Sequence, residues 1–370
     1  MDLTRRDVLK GITTTSTIAI ATESLSFSSI SKDPTRSSSL PWPNSHGSPV
    51  IESLRPVIEK SRDVRTNHET VKEVASWMAY EELPLPNLAV PFGMEKTPDI
   101  AIDFIMVGNA IDTAFSDFKT HVKFQIDYAG EHHSDSDAMF ACLKRAMDND
   151  VPVLDGKFLA KLSRDDMAKI FAGSIEMPML NEKLELFHQV GGILAEKYDG
   201  HFHKFIKSCS PKLYDNGKGL VERLAAEFPR FNDVSEYDGH SIKIYKLTQL
   251  GYWQLYSGLH GTGAFQLEDP HKMTAFADYI VPVGLRLMGI TSYSADLEKA
   301  INTYQMIARD SKWEIEIRAH CLYATALLTD EINKIRPAGQ QIIIPQIDAR
   351  FWTHFHTTDW PHHLTKTIMY

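Results

Sequence analysis

The chain has 370 residues, of which 43% are hydrophobic and 24% are charged, a composition typical of a globular protein with a sizeable core. Its formal net charge of −9 argues against a dedicated nucleic-acid-binding protein, because such proteins carry a basic face. The three cysteines, Cys142, Cys209 and Cys321, are far apart in sequence, which argues against a disulfide framework and a zinc site.

The N-terminus has the features of an export signal. Arg5 and Arg6 precede a short Thr-rich stretch, and the small residues of Ala19-Ile20-Ala21 follow it. This order predicts a twin-arginine signal peptide over residues 1–21 and export from the cytoplasm. A basic leader on a cytoplasmic protein is the alternative.

The next segment is predicted to be a linker rather than a folded element. Residues 22–50 are rich in Ser and Pro and lack aliphatic periodicity, which is typical of a disordered tether. We therefore predict one folded domain over residues 51–370, and we expect it to be a monomer. No apolar run is long enough to span a membrane.

The first half of this domain mixes predicted helices with a small β element. Thr66-Asn67-His68-Glu69 resembles a capping box, and apolar residues follow it at helical spacing. Residues 100–107 and 122–128 are rich in β-branched and aromatic side chains, which predicts a strand pair. Residues 131–137 read as a polar loop, and residues 138–148 as a helix.

The second half is predicted to be helical almost throughout. A long amphipathic helix runs through Leu184 and Leu194 to Gly200, after a helix start with a cap-like pattern at Ser163. Residues 245–259, 297–308 and 313–335 also have helical spacing. The fold class is therefore predicted to be mainly α, with a minor β element in the N-terminal half.

Asp278 is the acid that the sequence singles out. It lies between Phe276 and Tyr279 at the start of an apolar run that continues to Met288. An acid embedded in this way is either stabilised by structural partners or retained for chemistry, because burial without a partner costs free energy and raises its pKa. From the residues alone, both interpretations stay open.

Three histidine pairs invite a metal hypothesis: His201 with His203, His354 with His356, and His362 with His363. Their surroundings read as helix ends and loops, and no third ligand accompanies a pair in the sequence. We therefore predict no metal and no cofactor.

Several motifs in a fixed order carry a family resemblance. They are Tyr237-Asp238-Gly239, Tyr245-Lys246, Phe276-Ala277-Asp278-Tyr279 with Val281-Pro282, Glu314-Ile315-Glu316-Ile317-Arg318-Ala319, Asp348 with Trp352, and Pro361-His362-His363. Together they resemble the C-terminal half of the queuosine salvage protein family. The resemblance covers residues 180–370 well and residues 51–179 weakly.

The resemblance implies a fold similar to the helical DNA glycosylases and an N-glycosylase activity without a metal. The expected reaction is hydrolysis of the bond between queuine and ribose in queuosine 5′-phosphate, or in a related 7-deazaguanine nucleotide or nucleoside. Such a reaction passes through a transition state with positive charge on the sugar, which a carboxylate stabilises. The resemblance makes Asp278 that carboxylate and places Phe276 on the base.

The remaining candidates follow from the chemistry of this ligand. Queuine has a secondary amine that is cationic at neutral pH, so an acid should face it. Asp348 is the candidate, with Trp352 one helical turn away as a packing surface.

Phosphate recognition requires cations. Lys246 is the first candidate, and Arg318 is a second anchor unless it pairs with Glu314 four residues earlier on its own helix. His363 or His362 could help to hold the phosphate, or could cap the C-terminal segment.

The chain departs from the family pattern at several positions. Family members usually carry Arg and Gln where this sequence has Ile280 and Val283, and an acid where it has Thr353. An aromatic patch of the family is reduced in Asp112-Thr113-Ala114-Phe115-Ser116. These departures suggest a changed substrate or a lost activity, so a binding protein that captures a 7-deazapurine without cleaving it is the alternative.

Overall fold

Helices dominate the part of the chain that the computed structural model describes, which is residues 40–85, 91–259 and 261–370 without the side chain of Glu95. The helices α1 to α15, in chain order, are Pro49–Ser53, Arg55–Lys60, His68–Met78, Pro98–Ala110, Asp135–Asp148, Gly156–Leu159, Arg164–Ile170, Leu180–Lys197, Phe202–Lys207, Leu220–Glu227, Lys246–Leu259, Ile280–Leu287, Ala295–Asn302, Lys312–Ile335 and Ile344–Phe355. The prediction of a mainly α fold is thus confirmed.

Three short antiparallel strand pairs complete the described structure. The strands β1 to β6 are Val64–Thr66, Gln125–Tyr128, Glu131–Ser134, Val234–Tyr237, His240–Lys243 and Thr291–Tyr293. β2 pairs with β3 and β4 with β5 as hairpins, while β1 pairs with the distant β6. The β structure is therefore not confined to the N-terminal half.

Two helices are buried on almost every side. In α4 every residue from Ala101 to Ala110 is buried, and in α14 burial is continuous from Glu314 to Thr329. A helix that is covered all round lies inside the fold rather than on its surface. α11 packs against α4, and α14 packs against α3 and α15.

α12 and α15 approach each other closely at Gly284. A Cβ atom at this position would lie 2.4 Å from the ring of Phe355 and 2.6 Å from that of Phe351. Such distances are far shorter than van der Waals contact, so only glycine allows this approach. The packing brings the N-terminal end of α12, where Asp278 lies, close to α15, which carries Asp348.

The strand prediction for residues 100–107 is wrong, because these residues belong to α4. A segment that is apolar on every side has no period that separates a buried helix from a buried strand. The prediction for residues 122–128 is correct over β2, but its partner is β3, which the sequence analysis read as a loop. Ala129 and Gly130 join the two strands with positive φ angles of 53° and 82°, as a tight two-residue hairpin turn requires.

Other predicted helices agree with the structure to within a few residues. Ser163 caps α7 by accepting a hydrogen bond from the N–H of Asp166 at 3.1 Å. The cap of α3 is Asn67 rather than Thr66, since the Asn67 side chain accepts hydrogen bonds from the N–H groups of Glu69 and Thr70. The helix predicted at 297–308 ends earlier, at Asn302.

Ordered structure begins before residue 51. Residues 41–370 form one compact unit, in which the Trp42 ring lies 5.4 Å from that of Tyr323 and the Asn44 N–H donates to Asp330 at 2.7 Å. The last part of the predicted tether is therefore packed on α14. The predicted signal peptide and the rest of the tether lie outside the described residues. None of the described helices is both long and apolar enough to cross a membrane.

Candidate active site

Asp278 is buried at the N-terminal end of α12, with only 7% of its surface exposed. Its Oδ1 accepts hydrogen bonds from the N–H groups of Ile280 at 2.8 Å and Val281 at 3.1 Å, as a helix-capping carboxylate does. Its Oδ2 accepts no hydrogen bond from any residue that the structure describes. Burial raises the pKa of Asp278, while the charge of Lys246 and the two N–H groups oppose this rise.

The segment that leads to Asp278 is fixed by three different helices. Gln249 on α11 makes two hydrogen bonds of 2.9 Å with Thr274, one to its N–H and one to its hydroxyl. Asp348 on α15 accepts the Phe276 N–H at 2.8 Å, and Arg318 on α14 donates to the Ala277 carbonyl at 3.0 Å. The backbone on the N-terminal side of Asp278 is thereby held in place.

Asp348 is the second acid of the site. It is 5% exposed, and burial followed by the neighbouring negative charge of Asp278 raises its pKa well above the ordinary value. Two close carboxylates in one buried site favour a proton on one of them. The structure thus brings together the two acids that the sequence analysis named, and Asp348 carries the proton more readily.

Lys246 is the lysine whose positive charge acts on both acids. It is the first residue of α11 and is 7% exposed, and its positive charge lowers the pKa of Asp278 and of Asp348. No ion pair within 4 Å holds its ammonium group among the described residues. The ammonium group is therefore available to a ligand as well as to the two carboxylates.

Arg318 has a structural environment. Its side chain is completely buried, and its guanidinium donates to both oxygens of Asp233, at 3.0 and 2.6 Å, and to Glu314 at 3.3 Å. Burial alone would lower the pKa of Arg318, but Asp233 and Glu314 raise it above its ordinary value. The ion-pair interpretation of Arg318 is thus favoured over phosphate binding, and Arg318 acts on the site through Ala277.

His362, in the C-terminal segment, lies beside the site. The ring of His362 lies 4.5 Å from that of Tyr279, and its Nδ1 is 2.8 Å from the carbonyl oxygen of His363. Burial lowers the pKa of His362, and nearby Asp278 opposes the shift. His363 instead points inward, where its Nε2 lies 3.2 Å from the hydroxyl of Tyr370 and burial lowers its pKa to about 3.

Residues 92–370 match the family described as queuosine salvage protein. The chain belongs to the queuosine salvage protein family. The family match reaches further toward the N-terminus than the motifs of the C-terminal half indicated.

Relatives from distant organisms cover most of the chain. A protein of Sphaerobacter thermophilus named queuosine 5′-phosphate N-glycosylase/hydrolase is 30% identical over 87% of this chain and 97% of its own. Proteins with the same name from Mus musculus and Schizosaccharomyces pombe are each 27% identical, over 86% and 77% of this chain and 98% and 86% of their own.

The aromatic candidates differ in how accessible they are. Phe276 is 4% exposed and packs within the hydrophobic core, so its role in stacking on a base stays a prediction. Trp352 is half-buried on α15, with its ring 4.3 Å from that of His356. Tyr279 is also half-buried beside Asp278, so Trp352 and Tyr279 offer more accessible ring surface than Phe276.

Sequence reasoning missed a polar group near the site. Lys123 and Asp135 form an ion pair of 2.8 Å, and Nε2 of His356 lies 3.8 Å from the same carboxylate oxygen of Asp135. The pKa of His356 is lowered by burial and then by Lys123, while Asp135 and Asp278 oppose the shift. The unusual backbone of Asp135, with φ of 57°, is the kind of feature that no sequence pattern reveals.

The departures from the family pattern fall in different environments. Ile280 and Val283 are buried on α12, while Thr353 is exposed on α15. In the reduced aromatic patch, the Thr113 hydroxyl donates to the carbonyls of Thr367 and Tyr370, at 2.8 and 2.6 Å. The ammonium nitrogen of Lys183 lies 4.6 Å from the centroid of the Phe115 ring. Within this patch, Thr113 therefore anchors the C-terminal segment.

A cleft of about 560 Å³ lies apart from these residues. Its walls include Lys212, Glu268, Asp269 and Lys272, and it contains none of the groups around Asp278. These charges are already paired, Lys212 with Glu268 at 3.7 Å and Lys272 with Asp269 at 3.3 Å. Size alone does not make a catalytic site, so the buried acids around Asp278 remain the better candidate.

Proposed function

We propose that the protein hydrolyses the N-glycosidic bond of queuosine 5′-phosphate and releases queuine. The observation that carries this proposal is Asp278, a buried carboxylate with one oxygen fixed by the start of α12 and the other without a donor among the described residues. It stands in a chain of the queuosine salvage protein family, whose relatives are named for this activity.

The arrangement suits a hydrolysis that develops positive charge on the sugar. The bond from the anomeric carbon to the base breaks, and the base leaves with the bonding electrons. Oδ2 of Asp278 stabilises the positive charge and accepts a proton from the water whose oxygen adds to the anomeric carbon. The departing base takes up a proton, and Asp278 passes the proton that it accepted to the released base or to solvent. The net change is one water added across the broken bond.

Substrate recognition divides among the neighbouring groups. Asp348 faces the cationic amine of queuine in this proposal, and ionises when that charge arrives because an opposite charge lowers the pKa of a carboxylate. Lys246 binds the 5′-phosphate. His362, rather than His363, is the histidine that lies beside Tyr279 and Asp278. The base packs against the half-buried rings of Trp352 and Tyr279.

The direct test follows the product. The purified protein is incubated with queuosine 5′-phosphate and, separately, with queuosine, and free queuine is detected by mass spectrometry. Release from the phosphate supports the proposal, whereas release from the nucleoside alone means that phosphate recognition is lost. Tight binding by calorimetry without release from either would favour the non-catalytic binding protein.

Asp278→Asn isolates the carboxylate charge. The amide oxygen can still accept the N–H groups of Ile280 and Val281, so we expect an unchanged fold and a fall in kcat of at least about 100-fold. The matched control is Asp269→Asn, since Asp269 is also buried and also accepts a backbone N–H, from Leu213 at 2.6 Å. Near-native turnover of Asp278→Asn would remove this residue from the mechanism.

Export through the twin-arginine segment is a further part of the proposal. Arg5 and Arg6 support it, and fractionation of cells that express the full chain tests it. We also propose a monomer that acts on small molecules rather than on nucleic acid, consistent with the net charge of −9. Sedimentation and a tRNA-binding assay test these two points.

A further inference from the structure

A cluster outside the candidate active site combines two histidines with a buried carboxylate. Asp103 lies on α4 and is 3% exposed, while His201 and His203 lie at the start of α9, 100 residues later in the sequence. Oδ2 of Asp103 is 2.8 Å from Nδ1 of His203 and 3.0 Å from Nδ1 of His201. Three atoms that can bind a metal therefore converge within 4.8 Å of one another.

Hydrogen bonding accounts for only part of this geometry. Oδ1 of Asp103 accepts the N–H of His203 at 2.7 Å, which explains why a carboxylate lies at the start of α9. His203 Nδ1 is also hydrogen-bonded to Oδ2. His201 Nδ1 is a buried atom with no hydrogen-bond partner among the described residues, although it lies 3.0 Å from Oδ2. Such an orphaned buried nitrogen costs free energy unless another ligand satisfies it.

The two rings are aligned, and a second carboxylate lies behind one of them. Their centroids are 5.0 Å apart with planes 27° from parallel, so both Nδ1 atoms point toward Asp103. Nε2 of His203 lies 3.9 Å from Oδ2 of Asp99, one turn earlier on α4, which is longer than a hydrogen bond. Asp99 also pairs with Lys207 at 2.6 Å. Histidines that bind metals commonly direct their other ring nitrogen toward a carboxylate, which keeps the proton there and frees the ligating nitrogen.

We propose that Asp103, His201 and His203 bind a divalent transition-metal ion, with Zn²⁺ as the best match. Two imidazole nitrogens and one carboxylate oxygen are ligands that Zn²⁺ accepts, and water fills the fourth position on the side where His201 is 33% exposed. The ion joins α4 to α9 and takes no part in the glycosidic chemistry, because none of the groups described around Asp278 belongs to this cluster. This metal site is separate from the proposed glycosidase function and does not depend on it.

The test uses the tag-free full chain after removal of metals. Zn²⁺ is titrated by calorimetry, and Co²⁺ is titrated by visible absorption, which reports the geometry of its ligands. We expect saturable binding of one ion per chain and a higher melting temperature with Zn²⁺. His201→Ala and His203→Ala should each weaken binding at least about 100-fold, and Asp99→Asn about tenfold, the lower end of the loss on removing an outer partner.

The variants are chosen so that folding does not confuse the result. Both alanine variants leave the bond from the His203 N–H to Asp103 in place. His201→Ala removes no hydrogen bond of the ring Nδ1, so its metal-free melting temperature should match that of the wild type. His203→Ala also removes the bond from Nδ1 to the buried Asp103, so its metal-free melting temperature should be lower. His240→Ala is the control, since His240 is an exposed histidine on β5. No saturable binding to the wild type, or equal binding by the wild type and His201→Ala, would overturn the proposal.

Discussion

The carboxylate of Asp278 combines two requirements that oppose each other. In the proposed reaction, burial lets this carboxylate act strongly on a developing charge, yet burial also raises its pKa and favours the neutral form. Lys246 and the N–H groups of Ile280 and Val281 oppose that rise. The lower pH limit of activity should therefore depend on Lys246.

Lys246→Met tests this dependence. Removing the positive charge removes the largest influence that lowers the pKa of Asp278, so the pKa rises further. We expect the acidic limb of the kcat/KM profile to move to higher pH, because Asp278 is then protonated sooner as the pH falls. Lys272→Met, which removes a cation paired with Asp269, should leave the limb in place. An unchanged limb in Lys246→Met would contradict the assignment.

The residue scale also shows how far the sequence could go. The family resemblance named Asp278, and the chemistry of the expected ligand named Asp348 and Lys246. In the structure these three groups are close enough for their charges to act on one another. The sequence could not decide between His362 and His363. Adjacent side chains in an irregular segment point in different directions, and no periodic pattern shows which of them faces the site. Lys123 and Asp135 were missed because their partnership arises from the β2–β3 hairpin and not from sequence proximity.

At the scale of elements, the site depends on helices that hold the segment before Asp278 from different sides. α11, α14 and α15 each make a hydrogen bond to residues 274–277, so the position of the Asp278 carboxylate is a property of their packing. The link from α14 is the buried Arg318, which also forms ion pairs with Asp233 and Glu314. This helix should therefore tolerate the loss of Arg318 poorly.

Arg318→Met measures that link. Removing the cation leaves two buried carboxylates without their partner, and breaking a buried ion pair typically costs about 3–5 kcal/mol. We expect a decrease of this size in the free energy of unfolding, measured by urea denaturation. Arg350→Met is the matched control, since its pair with Glu81 is about one-third exposed and should contribute less than about 1 kcal/mol. Equal effects of both variants would contradict a structural role for Arg318.

Element boundaries were predicted well where caps and amphipathic spacing were clear, as at Ser163 and along α8. The type of element was predicted wrongly for residues 100–107. α4 is covered on every side, so it has no polar face from which a helical period could be recognised. The β1–β6 pair was not foreseen, since its strands are three residues each and more than 200 residues apart. Long-range pairing of that kind leaves no local signal.

At the scale of the whole molecule, two neutral histidines are built into the interior. His320 on α14 lies 2.8 Å from the hydroxyl oxygen of Thr66 and 3.0 Å from that of Ser61, so it joins the N-terminal region to the central helix. His363 contacts the hydroxyl of Tyr370 within the C-terminal segment. Burial lowers the pKa of each to about 3, so both are neutral in the folded protein near neutral pH.

Acid should therefore destabilise the fold through these two residues. Between pH 6.5, the ordinary pKa of histidine, and about 3, the unfolded chain binds a proton at each position and the folded chain does not. Each histidine thus lowers the free energy of unfolding by about 1.4 kcal/mol for every pH unit of acidification in this range. Asp278 and Asp348 act in the opposite direction, because their raised pKa values let the folded state take up protons.

Comparison of variants separates these contributions. His320→Gln and His363→Gln should each reduce the slope of unfolding free energy against pH by about 1.4 kcal/mol per pH unit between pH 6 and 4. Urea denaturation at several pH values gives the slope, and His240→Gln, at an exposed position, should leave it unchanged. Slopes in both interior variants equal to that of the wild type would mean that these histidines are protonated in the folded protein.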